Sequence, residues 1–206
     1  MKILSFKRIE KKYLINQSQY EELLKGIRGH MKLDPYCENN KTYKIQNIYY
    51  DTINNTLISN SINKPIYKEK LRVRKYYEAD SYFIELKKKA CGVVGKRRVV
   101  VNKEELDSFF RGDNLDHITD YESRMAIKEI KYLMKRYELM PKVYLSYDRL
   151  GFFDLEDPTL RLTLDNNIHS RRSNLSFKTD ESTIDVIKKD EYILEIKVKN
   201  NYPLWL

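Results

Sequence analysis

Hydrophobic and polar residues alternate one by one through much of this chain. In 68–74, Lys68, Lys70, Arg72 and Arg74 share one parity, while Leu71 and Val73 take the other. In 82–89, Glu85, Lys87 and Lys89 oppose Ile84 and Leu86. In 96–101, Lys96 and Arg98 oppose Val99 and Val101. Arg161, Thr163 and Asp165 oppose Leu160, Leu162 and Leu164, and Glu195, Lys197 and Lys199 oppose Leu194, Ile196 and Val198. Successive side chains of a strand point to opposite faces, so a period of two predicts β-strands with one apolar and one charged face. The pattern places strands at about 4–14, 44–51, 66–77, 82–89, 93–101, 142–153, 159–165 and 191–199. Short connections such as Glu78-Ala79-Asp80 predict antiparallel pairing.

A second period, near 3.6, marks three helices. Ser18-x-x-Glu21 reads as a capping box ahead of Tyr20, Leu23, Leu24 and Ile27. Asn102 caps a short helix bearing Leu106, Phe109 and Phe110. Thr119-x-x-Glu122 opens a longer one, with Ala126, Ile127, Ile130, Leu133, Met134 and Tyr137 on one face. These stripes read as core contacts without chemistry. Many strands and three helices predict an α+β protein, read as one domain over 1–206. From the pattern alone, an open sheet packed on helices and a closed barrel both remain possible.

Charge changes the picture. The 206 residues carry 39 basic and 30 acidic side chains, a net charge of +9. That balance favours an anionic partner. Arg at alternate strand positions presents flat, multi-donor groups that match phosphate oxygens. Single carboxylates among the cations suit a phosphate-bridging divalent cation, Mn²⁺ or Mg²⁺. Nucleic acid is disfavoured, because no Lys/Arg-Gly-Phe/Tyr strand motif is present and acidic residues interrupt the basic face. Cys37 and Cys91 form no disulfide framework, and no apolar run reaches the roughly 18 residues of a membrane span. With no signal peptide discernible either, the expected location is cytoplasmic.

The ordered motifs resemble the VTC, or polyphosphate polymerase, branch of the CYTH/triphosphate-tunnel superfamily. "FKRIEKKYLI" resembles the opening strand, with Glu10 and Lys12 as its E-x-K. "IYYDT" resembles the second strand, and "LRVRKY" supplies Arg72 and Arg74. "FIELKKK" supplies Glu85 and Lys87, and "GKRRVVV" supplies Lys96 and Arg98. "YLSYDRLGFF" matches Y-x-R-x-x-F with Tyr147 and Arg149, and "LRLTLD" gives Arg161 and Asp165. "ILEIKVKNNYPLWL" resembles L-E-x-K…P-x-W with Glu195 and Lys197.

The resemblance implies a closed eight-stranded antiparallel barrel, the triphosphate tunnel, with helices packed outside. It implies an enzyme that transfers the γ-phosphate of ATP onto a polyphosphate chain. The catalytic residues would be Lys12, Arg72, Arg74, Lys87, Arg149, Arg161 and Lys197. Lys89, Lys96, Arg98 and Tyr147 would bind substrate phosphates. Glu195, Glu10 and Glu85 would hold Mn²⁺ or Mg²⁺. The partners implied are ATP and polyphosphate or triphosphate, with a membrane protein as a possible collector of product. The alternatives are a triphosphatase acting on inorganic triphosphate or nucleotides, and a non-catalytic polyphosphate or nucleotide binder. Two departures stand out. Arg8 occupies the first position of the superfamily's E-x-E-x-K, which argues for the VTC branch. The sequence also ends at Leu206, before the helix and S-K-Y-like segment that usually follow.

Overall fold

The computed structural model describes residues 9–37, 41–63, 66–77, 79–91, 93–178, 182–199 and 201–206. Arg8 and Glu78 lie outside the described residues. The element order is β1 (Ile9–Asn16), α1 (Gln17–Gly26), β2 (Met31–Leu33), β3 (Tyr43–Asp51), α2 (Thr56–Ile62), β4 (Tyr67–Tyr76), β5 (Tyr82–Ala90) and β6 (Val93–Val101). It continues with α3 (Lys103–Arg111), α4 (Tyr121–Tyr137), β7 (Met140–Asp154), β8 (Arg161–Arg171), β9 (Ile184–Asp185) and β10 (Glu191–Val198).

Strands lie at all eight expected places, although residues 4–8 of the first, expected at about 4–14, lie outside the described residues, and two short strands, β2 and β9, join them. The fourth helix, α2, has no apolar stripe to announce it. The Asp51 carboxylate holds its first turn instead, accepting from the Leu57 and Ile58 N–H groups. Two caps also move. Asn16, not Ser18, caps α1, exchanging hydrogen bonds with Gln19. β1 runs straight into that helix, so its last residue is the cap. Asp120, not Thr119, caps α4 by accepting from the Ser123 N–H. Asn102 caps α3 as expected, in a reciprocal box with Glu105.

The closed eight-stranded barrel is not formed. The hydrogen-bonded strand order runs β1-β10-β8-β7-β3-β4-β5-β6, with β2 added on β7 and β9 on β8. It starts at β1 and stops at β6, giving an open antiparallel sheet of ten strands. Alternation decides which side chains share a face. It carries no information on whether the two end strands meet, which depends on tilt and stagger.

The chain divides into two compact units. The first comprises Met1–Ile45, Ser146–Ser170 and Thr183–Leu206. Its core joins Leu160, Leu162 and Leu164 of the β8 segment to Leu194, Ile196 and Val198 of β10, with Leu23 and Leu24 of α1 packed against them. The second comprises Gln46–Leu145 and Arg171–Ser182. There the apolar parity of β4, β5 and β6 (Leu71, Val73, Ile84, Leu86, Val99, Val101) meets Phe109 of α3 and Ile130 and Leu133 of α4. Burying each such side chain contributes about 1.5–3 kcal/mol. In both units this leaves the charged parity on the other face. Among the described residues no helix is long and apolar enough to cross a membrane.

Candidate functional site

In the second unit the register puts Arg72 opposite Glu85 and Glu85 opposite Arg98. Glu85 is only 2% exposed. Its Oε2 accepts from Arg72 Nε at 2.8 Å and Nη2 at 2.7 Å. Its Oε1 accepts from Arg98 Nε at 2.7 Å and lies 2.7 Å from Lys96 Nζ. Burial alone would raise the Glu85 carboxyl, but Arg72, Arg74 and Lys96 hold it far below the usual range. Burial also lowers Lys96, against the pull of Glu85.

Two residues of β3 complete this cluster, and sequence reasoning assigned neither of them. Asn47 Oδ1 accepts from Arg74 Nε at 3.0 Å, and Arg74 is 7% exposed. Arg72 Nη1 donates to the Tyr49 hydroxyl at 3.1 Å. Burial would raise Tyr49, yet the charges of Arg72, Arg74 and Lys70 bring it below its ordinary value. The only available signal was the polar parity of Asn47, Tyr49 and Asp51, too short to stand out. Lys87 sits in register between Lys70 and Lys96, and Lys89 lies opposite Lys68.

The first unit carries its own cluster. Register opposes Glu10 to Lys197 and Lys12 to Glu195, then Lys197 to Arg161 and Glu195 to Thr163. Lys197 Nζ donates to Glu195 Oε2 at 2.5 Å, and Lys12 Nζ lies 3.5 Å from Oε1. Burial works against charge on Glu195, but Lys197 and Lys12 hold its carboxyl below its ordinary value. Burial depresses Lys197, against Glu195 and Glu10. The Thr163 hydroxyl on this row is buried and has no hydrogen-bond partner.

Arg149 of β7 forms a two-pronged pair with Asp165 of β8, and its guanidinium lies 5.2 Å over the Tyr147 ring. Arg161 stacks 3.9 Å from the centroid of Phe153 and reaches Asp34 at 3.6 Å. Asp34 was not foreseen. Gly151 makes room for it, since a Cβ there would approach Asp34 Cβ to 3.2 Å. The expected site residues thus fall into two groups, one per unit, each with a buried glutamate held among cations.

These alternating basic strands have known counterparts. The VTC domain family matches residues 7–206, nearly the whole chain. The chain belongs to the VTC family. It is thereby a member of the CYTH/triphosphate-tunnel superfamily. The fold is similar to that of a candidate adenylate cyclase from Bacillus halodurans, with a TM-score of 0.53 and 16% identity over 94% of this chain and 81% of that one. A candidate adenylyl cyclase from Hippeastrum, described as having a dominant triphosphatase activity, aligns with a TM-score of 0.49 and 16% identity over 94% and 79% of the two chains. No curated protein matches.

The divalent cation implied for a VTC domain was assigned to Glu10, Glu85 and Glu195. Among the described residues no cluster of three or more His, Cys, Asp or Glu side chains is present. Glu85 does not fit the assignment, since both its oxygens are taken by three cationic side chains. Glu10 and Glu195 fit better. They lie diagonally on one face of the VTC domain's β1–β10 ladder, and both carboxylates act on Lys197. Magnesium-type ions take one or two carboxylates from protein and the rest of their shell from phosphate and water.

Proposed function

We propose that this VTC domain is a polyphosphate polymerase, transferring the γ-phosphate of ATP onto the end of a polyphosphate chain. The observation that carries this reading is the convergence of Arg72, Lys96 and Arg98 on the single buried Glu85. One carboxylate pre-aligns three donors and leaves the cluster net positive. That is an electrostatic frame awaiting an anion with several oxygens.

Phosphoryl transfer through a loose transition state needs in-line positioning and charge stabilisation more than covalent help. Arg72 and Arg74 in the second unit, and separately Arg149 and Arg161 in the first, would clamp phosphates through their planar forks. In the second unit Lys87 and Lys96 would add point charges around bound phosphate, with Lys89 and Arg98 on the chain that continues it, and in the first unit Lys12 and Lys197 would do the same for phosphate bound there. Tyr147 would donate its hydroxyl to a phosphate oxygen. The accepting chain end is already anionic, so no general base is required. Glu195 with Glu10 would hold Mn²⁺ or Mg²⁺, which supplies neutralisation of phosphate charge when bound. Glu85 serves as the counter-ion that orders its neighbours.

Phosphorus NMR of the protein with ATP and Mn²⁺ tests the reading. The expected result is ADP together with a growing mid-chain polyphosphate signal. Orthophosphate without chains would replace the polymerase with a triphosphatase. Unchanged ATP would leave a binding domain.

A further inference from the structure

α4 turns Ala126, Ile130 and Leu133 into the core. At about 100° per residue, its opposite side gathers Tyr121, Arg124, Lys128, Tyr132 and Lys135 within an arc of about 80°. All five are exposed, Tyr121 by 76% and Tyr132 by 66%. The acidic residues of α4, Glu122 and Glu129, lie off this arc, and Glu129 is taken by Lys88 and Arg97. Asp120, four residues before Arg124, is committed to the Ser123 N–H as the helix cap. Among the described residues Arg124, Lys128 and Lys135 enter no ion pair. Exposed helices commonly offset such cations with carboxylates three or four residues away. Here the outward side of α4 keeps its positive charge.

Beside the arc lies a cleft of about 380 Å³, between the first half of α4 and segment 114–118. Leu115, Ile118 and Ile127 give it an apolar floor, with Arg124, Lys128 and Asp116 around them. Lys131 Nζ ties the neighbouring chain to α4, donating to the Asp113 carbonyl at 2.8 Å and to Asn114 Oδ1 at 3.0 Å. The cleft is therefore pre-formed, which lowers the ordering cost of binding.

We propose that this side of α4 docks an extended acidic segment of a partner protein, with one apolar side chain of that segment seated in the cleft. Arg124 and Lys135 stand about 16 Å apart along the helix axis. An extended segment of about five residues covers that length, with its carboxylates on the cations and its apolar anchor near Arg124 and Lys128. Tyr121 and Tyr132 then supply flat contact area, and tyrosine and arginine are the types that carry affinity at protein interfaces. Asp116 favours a peptide as well, because it can accept a backbone N–H, whereas it repels a chain of phosphates. A membrane surface would also meet the cations, but a fluid headgroup layer needs no fitted cleft, and no Trp, Phe or Leu stands on this arc. The inference is independent of how the charged face of the sheet is used.

Fluorescence anisotropy of the full chain with a labelled synthetic peptide of glutamates around one central leucine tests the site, beside the same peptide with alanine at its centre. The leucine peptide should bind at least about tenfold more tightly, as expected for burying one apolar side chain. Arg124→Gln with Lys128→Gln should weaken its binding by at least about tenfold. Lys25→Gln with Lys189→Gln removes the same charge away from α4 and should change it by less than about twofold. All four side chains are exposed, so both double variants should fold as the unaltered protein does.

Absence of binding by either peptide would overturn the docking site. So would equal affinity for the two peptides, or equal losses in the two double variants. Tighter binding to vesicles of phosphatidylserine and phosphatidylcholine than to the leucine peptide, lost in Arg124→Gln with Lys128→Gln, would replace the peptide with a membrane surface. Tighter binding of a single-stranded oligonucleotide would assign the arc to nucleic acid instead.

Discussion

Arg149 donates to Asp165 through two parallel bonds, Nε to Oδ1 and Nη2 to Oδ2, each 2.7 Å long. Burial would lower the Arg149 pKa, yet its hydrogen bonds to Asp165 lift it above its ordinary value. The pair therefore fixes the guanidinium plane as well as its charge. Arg149→Lys keeps the charge and loses the fork. It should lower unfolding stability in urea by about 1.5–3 kcal/mol, the usual range for a hydrogen bond to a charged group. An unchanged urea midpoint would mean that the fork does not stabilise the first unit.

Glu85→Gln should behave as a counter-ion deletion. Arg72, Lys96 and Arg98 would then face a neutral amide. The empty protein should melt at a lower temperature, and tripolyphosphate should raise that temperature by more than it does in the unaltered protein. Differential scanning fluorimetry reads both values. A metal-ligand role predicts otherwise, namely that the Mn²⁺ dependence of activity shifts while the phosphate-induced melting shift stays the same.

Phosphate binding should itself stabilise the fold. Tripolyphosphate at about a hundred times its dissociation constant should add about 2.7 kcal/mol. Sulfate at equal ionic strength should add far less. Arg74→Ala should abolish most of the tripolyphosphate effect, because Arg74 sits buried against Asn47 beside the cluster. Full retention of both binding and turnover in Arg74→Ala would remove it from the site.

Acid should unfold this protein through its buried glutamates. Despite burial, the Glu85 and Glu195 carboxyls are held below their ordinary values by the cations around them. In the unfolded chain each titrates near pH 4.3. Below that pH the unfolded chain takes up protons that the folded chain refuses, so stability falls. Lys96 and Lys197 act at the other end. Their values are depressed by burial, so as pH rises towards about 10.4 the unfolded chain holds more protons and stability rises. Urea titrations across pH should show a falling acid arm that is shallower in Glu85→Gln. Identical acid arms would show that Glu85 is not a source of the loss.

The alternation of Lys70, Leu71, Arg72, Val73 and Arg74 was enough to read β4, its buried face and its charged face. The same holds for β5, β6, β8 and β10. Closure was not legible, because Leu71 points to the core in an open sheet and in a barrel alike. Local chemistry placed α3 through Asn102, but α2 is held by the Asp51 carboxylate six residues before Leu57, outside the spacing of an N-cap or capping box. Within the site, residues whose charge stands out, such as Arg72 and Arg98, were identifiable. Asn47, Tyr49 and Asp34 were not, since each acquires its role only from the arginine it touches. Glu85 shows the same limit. Its type fitted a metal ligand and a partner for cations equally, and only the structure brings Arg72, Lys96 and Arg98 onto it.

The open sheet has a consequence for solubility. β1 and β6 end the strand order, so each presents backbone donors and acceptors along an outer edge. Such edges invite pairing with other chains, and charged side chains discourage it. Glu10, Lys11 and Lys12 stand in succession on β1, and Lys96, Arg97 and Arg98 on β6. On β6, Lys96 and Arg98, proposed above to bind phosphate, would thus also be gatekeepers against aggregation. Neutralising Lys96 and Arg98 together should expose a sticky edge, so a loss of solubility is the expected outcome along this strand whatever becomes of phosphate binding.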